Sequence, residues 1–333
     1  MKIAVLGAGS WGTTLAVLLD ANKHQVSLWS FLEEDAENIR RTRRNSNYLP
    51  NLAIPESITV HHDIHHALAG QDVIVLATPT QFVRSVLEET NKHDIGSPII
   101  INVAKGIERT SLKRISEIVA ELLPHIPASN YAVLSGPSHA EEVSVQIPTS
   151  VVAASTSLAT VQLTQSLFIT QYFRVYGSND VLGVELGGSI KNVIAVGAGI
   201  NDGAGFGDNT KAALITRGIA EMRRLGVAQG ADPHTFAGLS GLGDLIVTCM
   251  SKHSRNRYVG EQIGKGKKLN EVIGGMKMVA EGVETTRSIR EISRRDNIDM
   301  PIVEQVYQIL FAEKDPIAAT KELMTRQAKD EVW

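Results

Sequence analysis

The sequence has one cysteine, almost no net charge and no long apolar run, and each shortage excludes a class of protein. Cys249 has no second cysteine to pair with, so a cytoplasmic location is expected, because the cytosol keeps thiols reduced. The formal net charge of -3 gives no reason to expect a nucleic acid or an anionic membrane as a partner. The lack of a membrane-length apolar run and of a signal-peptide pattern predicts that no segment spans a membrane.

The length and composition are those of a two-domain globular protein. The 333 residues exceed one typical domain and allow two sizeable cores. With 43% hydrophobic and 21% charged residues, the chain has the ordinary composition of folded domains. Because no strong basic field surrounds such a chain, an anionic ligand must be held by local donors.

A glycine-rich turn near the N-terminus predicts dinucleotide binding. The apolar run 2–6 is typical of a buried strand, and residues 7–12 (G-A-G-S-W-G) match the pattern G-x-G-x-x-G. A helical pattern at 13–21 and a second strand at 25–30 place this turn inside one βαβ unit. Gly7 permits the tight turn, Gly9 lets the backbone approach a pyrophosphate, and Gly12 allows the helix to pack closely on the strand. The pyrophosphate is then expected on the first amides of the helix.

The end of the second strand lacks the acidic residue that usually binds the ribose of NAD. About 20 residues beyond the glycine turn, where that acid is expected, the chain has Ser30 and Phe31. Nothing there repels a 2′-phosphate, and no arginine clamps one. The choice between NAD and NADP therefore stays open, with acceptance of NADP favoured.

Strands and helices alternate up to about residue 180, and helices alone follow. Strand-like runs are predicted at 58–60, 72–77, 99–103, 132–134, 150–154 and 173–176, with helical patterns between most of them, as at 81–90 and 111–123. The later helical patterns cover 184–200, 209–225, 257–263, 285–294 and 302–310. The sequence thus predicts an α/β protein in which residues 1–180 form a doubly wound, Rossmann-like sheet and residues 181–333 form an all-helical domain.

Three predicted strands end in polar or small residues. Pro79 suits the start of a helix after the strand 72–77, and Lys105 follows the strand 99–103. The turn 135–141 offers free amides to polar ligand groups. Ligands of doubly wound sheets bind at the carboxyl ends of the strands, so these turns are candidate parts of one site.

One lysine lies in an apolar, Gly/Ala-rich helical segment, residues 186–197. Burial disfavours the charged ammonium of Lys191 unless it is paired or serves the chemistry of a site. The small residues around it allow another backbone or a flat ligand to approach closely. The alternative is a lysine whose stem lies on apolar surface while its ammonium reaches water. This segment alone leaves the two interpretations open.

Further on, Ser254 is a candidate helix cap, and Arg255 has the planar donor fork that suits phosphate, although it is also a candidate for an ordinary surface arginine.

Four histidines have a spacing that could place metal ligands on one helix face: His61, His62, His65 and His66. They lie at a strand end remote from the turns described above and lack a carboxylate–histidine motif, so no metal site is predicted. Cys249 is interpreted as a small packing residue.

Together these residues resemble the bacterial-type NAD(P)-dependent glycerol-3-phosphate dehydrogenase family. The similarity extends from the Gly7 turn to residues 279–285, and its most specific blocks are 134–143, 190–217, 238–248 and 254–256. The resemblance implies a Rossmann domain followed by an all-helical domain of the 6-phosphogluconate-dehydrogenase-like type. It also implies reversible reduction of dihydroxyacetone phosphate to sn-glycerol 3-phosphate, with NADP or NAD as cofactor, for glycerophospholipid synthesis.

The resemblance also assigns roles to individual residues. Lys191 corresponds to the proton-transferring residue. The substrate site comprises Lys105, Gly136, Ser138, Lys191, Asp244, Ser254, Arg255 and Asn256. The cofactor site comprises Gly7, Gly9, Ser10, Trp11, Gly12, Phe31, Lys105, Ala140, Arg255, Val279 and Glu281.

In this interpretation a lysine within reach of the substrate carbonyl stabilises the developing alkoxide and supplies its proton. The reverse reaction needs a neutral Lys191, and burial and the neighbouring Lys105 would both lower its pKa. Asp244 is expected to orient Lys191 or to bind substrate hydroxyls. Two residues depart from the family pattern: His139 replaces a usual aromatic residue, and Phe31 replaces a frequent basic residue beside the ribose.

Two competing interpretations remain. One is a related two-domain dehydrogenase acting on a different substrate such as a hydroxy acid. The other is a non-catalytic nucleotide-sensing module, since a fold does not determine a function. The expected partner is a small-molecule substrate, and a homodimer is expected only because this is the commonest assembly.

Overall fold

The N-terminal part of the chain is built on an eight-stranded sheet. The computed structural model describes residues 1–328 and 330–331. Its strands, in chain order, are β1 (Lys2–Leu6), β2 (Gln25–Trp29), β3 (Arg44–Asn45), β4 (Leu49–Ala53), β5 (Thr59–His61), β6 (Val73–Leu76), β7 (Ile99–Asn102), β8 (Tyr131–Ser135), β9 (Thr149–Ala154) and β10 (Phe173–Ser178). The order in the large sheet is β10-β9-β8-β7-β6-β1-β2-β5, and β3 pairs with β4 separately.

The helices between these strands cover both faces of the sheet. They are α1 (Ser10–Ala21), α2 (Glu33–Thr42), α3 (Ile64–Leu68), α4 (Thr80–Thr90), α5 (Ile115–Leu122), α6 (Ala140–Val143) and α7 (Leu158–Phe168). One apolar cluster packs beside α1 and a second beside α4 and α5. The chain moves from β1 to β2 on one side and then to β6 on the other, so the strand order reverses beside β1. A doubly wound sheet binds its ligand at such a point.

The predicted α/β organisation of this part is confirmed, with three local differences. β9 runs antiparallel to β8, so the sheet is mixed. The short β3–β4 hairpin was not predicted, because its strands contain no apolar run. Helix α5 begins at Ile115 instead of residue 111, since Leu112 has a φ of 59°, which no α-helix accommodates.

The remainder of the described chain is helical, as predicted. Its α-helices are α8 (Val181–Gly203), α9 (Asp208–Ala228), α10 (Asp244–Met250), α11 (Arg255–Gly264), α12 (Leu269–Gly274), α13 (Glu281–Arg295), α14 (Pro301–Phe311) and α15 (Pro316–Met324). A 3-10 turn at Pro233–Ala237 and a π-helical turn at Leu239–Gly243 lead into α10.

Helix α8 is the centre of this helical part. Its small residues let neighbouring backbones approach: a Cβ on Gly199 would lie 2.0 Å from the Arg257 carbonyl oxygen, and one on Gly260 would lie 2.0 Å from that of Val196. At the other end of α8, the carboxylate of Glu185 accepts hydrogen bonds from the Tyr131 hydroxyl (2.6 Å) and from Arg114 (2.8 Å). Helix α8 is thus held against both the sheet and the other helices.

Among the described residues, α8 is also the one helix with the length and hydropathy of a membrane span. The expectation that no apolar run reaches that length overlooked it. However, 89% of its most apolar window is buried inside the protein. A core helix passes the same test, because a helix that is apolar all round can be buried in protein as well as in lipid.

Candidate active site

A cleft of about 540 Å³ lies where the strand order reverses, and it is lined from both parts of the chain. The predicted residues on its walls are Gly7, Gly9, Ser10, Trp11, Phe31, Lys105, Ser138, Ala140, Lys191, Ser254, Arg255, Asn256, Val279 and Glu281. Three predicted residues, Gly12, Gly136 and Asp244, lie behind the walls instead of on them. The tertiary structure thus brings nearly the whole predicted set together.

The glycine turn fits a dinucleotide pyrophosphate. Gly7 has a φ of +125°, and a Cβ there would lie 2.8 Å from the backbone of Ala77. A Cβ on Gly12 would lie 1.9 Å from the Gly7 carbonyl oxygen, so this glycine serves the packing of α1 on the turn. A Cβ on Gly9 would meet no protein atom within 4 Å. Because no side chain caps α1, its first amides remain available for an anion.

The cleft lacks an acidic residue immediately after β2, where NAD-binding sheets usually have one. Phe31 is 72% exposed on the cleft wall, and the Ser30 hydroxyl donates to the Leu32 carbonyl oxygen (3.1 Å). Asp35, which the sequence analysis did not identify, lines the cleft from α2, where its carboxylate accepts a 2.7 Å hydrogen bond from Asn47. Asp35 lies in the first turn of α2, beyond the strand end where such an acid is expected, so the sequence pattern did not identify it.

Two lysines share one buried carboxylate beneath the cleft. The Lys191 Nζ lies 2.8 Å from Asp244 Oδ1 and 2.7 Å from Thr248 Oγ1. The Lys105 Nζ lies 2.7 Å from Asp244 Oδ2 and donates to the Gly136 carbonyl oxygen at 2.8 Å. We call these residues, Lys105, Lys191, Asp244 and Thr248, the lysine–aspartate cluster. With Lys191 only 5% exposed, the interpretation that its ammonium reaches water is wrong.

The four members of the lysine–aspartate cluster come from three separate elements. Lys105 follows β7 in a turn that Asn102 closes by accepting the Ala104 amide at 2.9 Å. Lys191 lies in the middle of α8, and Asp244 begins α10. Thr248, one helical turn after Asp244, was missed, although the i,i+4 spacing places both on one helix face and is visible in the sequence.

Burial determines the proton affinity of this cluster. It lowers the pKa of Lys191 to about 8, and the Lys105 charge acts in the same direction, while Asp244 opposes both. Burial alone would raise the pKa of Asp244, but the two lysines outweigh it and hold that pKa below its ordinary value. Asp244 is 1% exposed and does not line the cleft, and its two carboxylate oxygens accept hydrogen bonds from the two lysines.

The start of α11 forms another part of the cleft wall. The Ser254 hydroxyl accepts the Arg257 amide (3.2 Å), which confirms Ser254 as the cap, and Arg255 is exposed on the cleft wall. The Asn256 amide is engaged by protein: it donates to Asn192 Oδ1 (2.9 Å) and accepts from the Gly282 amide (2.8 Å). Asn256 therefore ties three helices together at the cleft.

Glu281 joins the two parts of the chain across the cleft. From the start of α13, its Oε1 accepts the backbone amide of Thr80, the first residue of α4, at 2.9 Å. Burial raises the pKa of this carboxyl, and the Thr80 amide partly offsets the effect. Val279, two residues earlier, is 41% exposed on the same wall.

The histidines considered as metal ligands, and Cys249, do not line the cleft. The rings of His65 and His93 are 4.9 Å apart, and those of His61 and His66 are 6.4 Å apart. Within residues 1–328 and 330–331, no group of histidine, cysteine and acidic side chains has the arrangement of a metal site. Cys249 is fully buried, and burial raises the pKa of its thiol to about 12, which suits a packing residue.

Comparison with known proteins assigns both parts of the chain to one family. The family models for the N-terminus and the C-terminus of NAD-dependent glycerol-3-phosphate dehydrogenase match residues 2–161 and 180–321. A glycerol-3-phosphate dehydrogenase (NAD(P)+) of Chlorobium phaeobacteroides strain BS1 is 53% identical over 100% of this chain and 99% of its own length. The corresponding Prosthecochloris aestuarii protein is 54% identical over 100% of both chains. The crystal structure of glycerol-3-phosphate dehydrogenase from Coxiella burnetii superposes with a TM-score of 0.94 at 37% identity, covering 98% of this chain and 99% of that one. The chain therefore belongs to the NAD-dependent glycerol-3-phosphate dehydrogenase family.

Proposed function

We propose that the protein catalyses the reversible, NAD(P)H-dependent reduction of dihydroxyacetone phosphate to sn-glycerol 3-phosphate. The observation that carries this proposal is a buried lysine with a lowered pKa on the wall of the cleft that the dinucleotide turn also lines. The activity is the one named for relatives that are about half identical over the full chain.

In this proposal the glycine turn, with Ser10 and Trp11, holds the pyrophosphate end of the cofactor. Further residues on the cleft walls, Phe31, Lys105, Ala140, Arg255, Val279 and Glu281, contact the rest of it. The bound dinucleotide supplies the hydride in the reductive direction and accepts it in the oxidative one. Glu281 also links α13 to the start of α4 through the backbone amide of Thr80.

Lys191 is the proposed proton-transfer residue. In the reductive direction its ammonium stabilises the negative charge developing on the carbonyl oxygen and gives that oxygen a proton, leaving a neutral amine. In the oxidative direction the neutral amine takes the hydroxyl proton. A pKa of about 8 makes both protonation states accessible near neutral pH.

Asp244 and Thr248 fix the direction of the Lys191 Nζ from behind, and each accepts one of its hydrogen bonds. Lys105 adds a second positive charge beside the carbonyl, and Ser138, 3.5 Å from the Lys105 Nζ, lies beside it on the wall. Gly136 contributes its carbonyl oxygen to Lys105 and thereby acts on the substrate indirectly.

The phosphate of the substrate is assigned to the start of α11. Arg255 offers two parallel N–H donors, and the first amides of a ten-residue helix favour an anion. Ser254 and Asn256 shape this wall. Anchoring the phosphate there would place the carbonyl near Lys191 and reduce the entropic cost of reaching the transition state.

The division of labour largely follows the chain: residues 1–180 carry most of the cofactor site, and residues 181–333 carry the proton-transfer lysine and most of the substrate site. A cytoplasmic location, a homodimeric assembly and a role in supplying glycerophospholipid synthesis complete the proposal.

The deciding experiment is a spectrophotometric assay of the purified protein with dihydroxyacetone phosphate, run separately with NADH and NADPH. Oxidation of either cofactor that depends on the ketone, with sn-glycerol 3-phosphate as the product, supports the proposal. Oxidation only with 2-keto acids would identify a dehydrogenase for hydroxy acids. Cofactor binding without oxidation across a panel of phosphorylated ketones would identify a nucleotide sensor.

A further inference from the structure

Asp35 is an acidic residue of the cleft to which neither the proposed mechanism nor the proposed cofactor contacts give a task. Of the three acids in the first turn of α2, Glu33 and Glu34 are exposed and do not line the cleft, whereas Asp35 is 8% exposed and lies on its wall. The two exposed glutamates already complement the dipole of the helix. A third, buried carboxylate in this turn therefore requires another explanation.

Within the described residues, one oxygen of the Asp35 carboxylate has a partner and the other has none. Its Oδ1 accepts a 2.7 Å hydrogen bond from the Asn47 side chain, which holds the carboxylate in place. Its Oδ2 accepts no hydrogen bond from the protein, and it is not among the buried side-chain atoms that lack a partner, so solvent reaches it. The free lone pairs of this oxygen can accept a donor of a ligand.

Contacts with neighbouring segments place Asp35 beside the dinucleotide turn. Asn45, in the β3–β4 hairpin that also carries the partner of Asp35, donates to the Ala8 carbonyl oxygen of the turn at 2.7 Å. The first amide of the turn donates to the Trp29 carbonyl oxygen (3.1 Å) at the end of β2, the strand that leads to α2. Asp35 thus lies in the corner formed by the glycine turn, the end of β2 and the β3–β4 hairpin.

The order of the strands shows which end of the cleft this corner belongs to. In the order β7-β6-β1-β2, Lys105 of the lysine–aspartate cluster follows β7 on one side of β1, and Asp35 follows β2 on the other. The glycine turn after β1, which is proposed to hold the pyrophosphate, lies between them. A dinucleotide whose nicotinamide faces the cluster therefore has its adenosine ribose on the β2 side, where doubly wound sheets bind that sugar.

The charges on this side of the cleft distinguish the two cofactors. Among the described residues, the lysines and arginines that line the cleft are Lys105, Lys191, Arg255 and Lys277. None of them comes from residues 25–61, and Arg43 in that stretch is paired with Glu56 at 2.7 Å, away from the wall. A carboxylate in this position accepts a hydrogen bond from a ribose hydroxyl, whereas it repels the negative charge of a 2′-phosphate.

The fourth of these cations, Lys277, belongs to another part of the wall. It precedes α13, whose first residue, Glu281, accepts the amide of Thr80 at the start of α4. Helix α4 follows β6, which lies on the opposite side of β1 from β2. The segment that carries Lys277 is therefore attached to the β6 side, and Asp35 is the charged residue of the β2 side.

We propose that Asp35 is a specificity residue of the cofactor site. Its Oδ2 accepts a hydrogen bond from a hydroxyl of the adenosine ribose, and its charge repels a 2′-phosphate, so the protein uses NADH in preference to NADPH. The inference rests on the proposed NAD(P)H-dependent reduction and deepens it by naming the cofactor. It reverses the expectation that NADP is accepted, which considered only the uncharged Ser30 and Phe31.

The test measures cofactor binding as well as turnover. The dissociation constants of NADH and NADPH are determined by fluorescence titration without a ketone, and kcat/KM for each cofactor is then measured with dihydroxyacetone phosphate. Asp35→Asn keeps the shape of the side chain and removes its charge. Glu34→Gln removes the same charge from an exposed residue of the same helical turn and is the matched control. Melting curves check that both variants fold.

We expect the unaltered protein to bind NADH roughly tenfold or more tightly than NADPH, because one cofactor gains a hydrogen bond to a carboxylate and the other meets its charge. Asp35→Asn should reduce this preference by roughly tenfold, by tightening the binding of NADPH and weakening that of NADH. A merely structural defect would weaken both. Glu34→Gln should leave the ratio within about twofold, because solvent and salt screen an exposed charge.

Equal or tighter binding of NADPH by the unaltered protein would overturn the assignment, and this measurement needs no variant. An unchanged ratio in Asp35→Asn, a parallel weakening of both cofactors, or the same change in Glu34→Gln would overturn it too. Failure of the proposed function looks different, since the protein would then bind NADH with the expected preference and leave dihydroxyacetone phosphate unreduced. The titration without a ketone separates the two.

Discussion

The dinucleotide turn and the lysine–aspartate cluster face the same cleft but are specified in different ways. The turn is contiguous: residues 7–12 join β1 to α1, and the close contacts that require glycine involve the turn itself and the next strand end. The cluster draws its members from a turn after β7, the middle of α8 and the start of α10. A binding site for a pyrophosphate can thus be one local motif. A proton-transfer site with a shifted pKa needs burial, which only segments distant in the chain supply.

The largest expected effect comes from removing the amine of the cluster. Lys191→Met retains the apolar stem and should lower kcat by roughly 10³-fold or more. The substitution removes the proton donor and also the positive charge that stabilises the developing negative charge on the carbonyl oxygen. The affinity for NADH, measured by fluorescence titration, should be nearly unchanged. Lys92→Met, at an exposed lysine paired with Glu89, is the matched control. Near-normal turnover of Lys191→Met would exclude Lys191 as the proton-transfer residue.

The next effect concerns the start of α11 on the cleft wall. Arg255→Ala should raise the KM for dihydroxyacetone phosphate by roughly 10- to 100-fold, because a charge-assisted pair with the phosphate is lost. Arg174→Ala, at an arginine that stacks on Tyr176 outside the cleft, is the control. An unchanged KM would mean that the phosphate is anchored elsewhere.

A variant of the turn should affect the cofactor and spare the cluster. Gly9→Val introduces a side chain into open space, so the melting temperature should change little. The KM for NADH should rise roughly tenfold or more, because the side chain occupies the approach to the pyrophosphate. The pH dependence of kcat at saturating NADH should keep its midpoint. A shifted midpoint would mean that the turn and the cluster are coupled.

Asp244→Asn tests whether the Asp244 carboxylate raises the pKa of Lys191 against burial and the Lys105 charge. Without the carboxylate, burial and Lys105 act on Lys191 unopposed, so the pKa of Lys191 falls below about 8. The midpoint for ketone reduction should move to lower pH by about one unit or more. Initial rates between pH 5.5 and 9.5 in roughly half-unit steps, with a melting curve as a folding check, measure this. A midpoint that stays in place would show that Asp244 does not act on Lys191.

The smallest effect is the pH dependence of the unaltered protein. Lys191 must be protonated for reduction, so kcat should be constant at low pH and fall to about half of its plateau where pH equals a pKa of about 8. The oxidative kcat should rise through the same pH, because it needs the neutral amine. Reductive and oxidative profiles that change in the same direction would contradict this assignment.

Much of the fold was predictable because its signals are local. Apolar runs such as 2–6 and 99–103 mark buried strands, and the loss of such runs after residue 180 marks the change to helices. The β3–β4 hairpin and the reversed direction of β9 were not predictable in this way, since strand direction depends on pairing partners and not on periodicity. For the site, the resemblance to a family supplied the residues, but not their contacts.

By itself the sequence determined the nucleotide turn, the change to helices near residue 180 and the unusual lysine at 191, because each depends on residue type and short-range spacing. Only the tertiary structure decided that Asp244 serves both lysines from behind the cleft and that Asn256 ties helices together. It alone also left the nitrogen of His139 buried and unpaired among the described residues. The physical reason is that charge pairing, desolvation and unsatisfied hydrogen bonds depend on distances between segments remote in the chain, which no local pattern encodes.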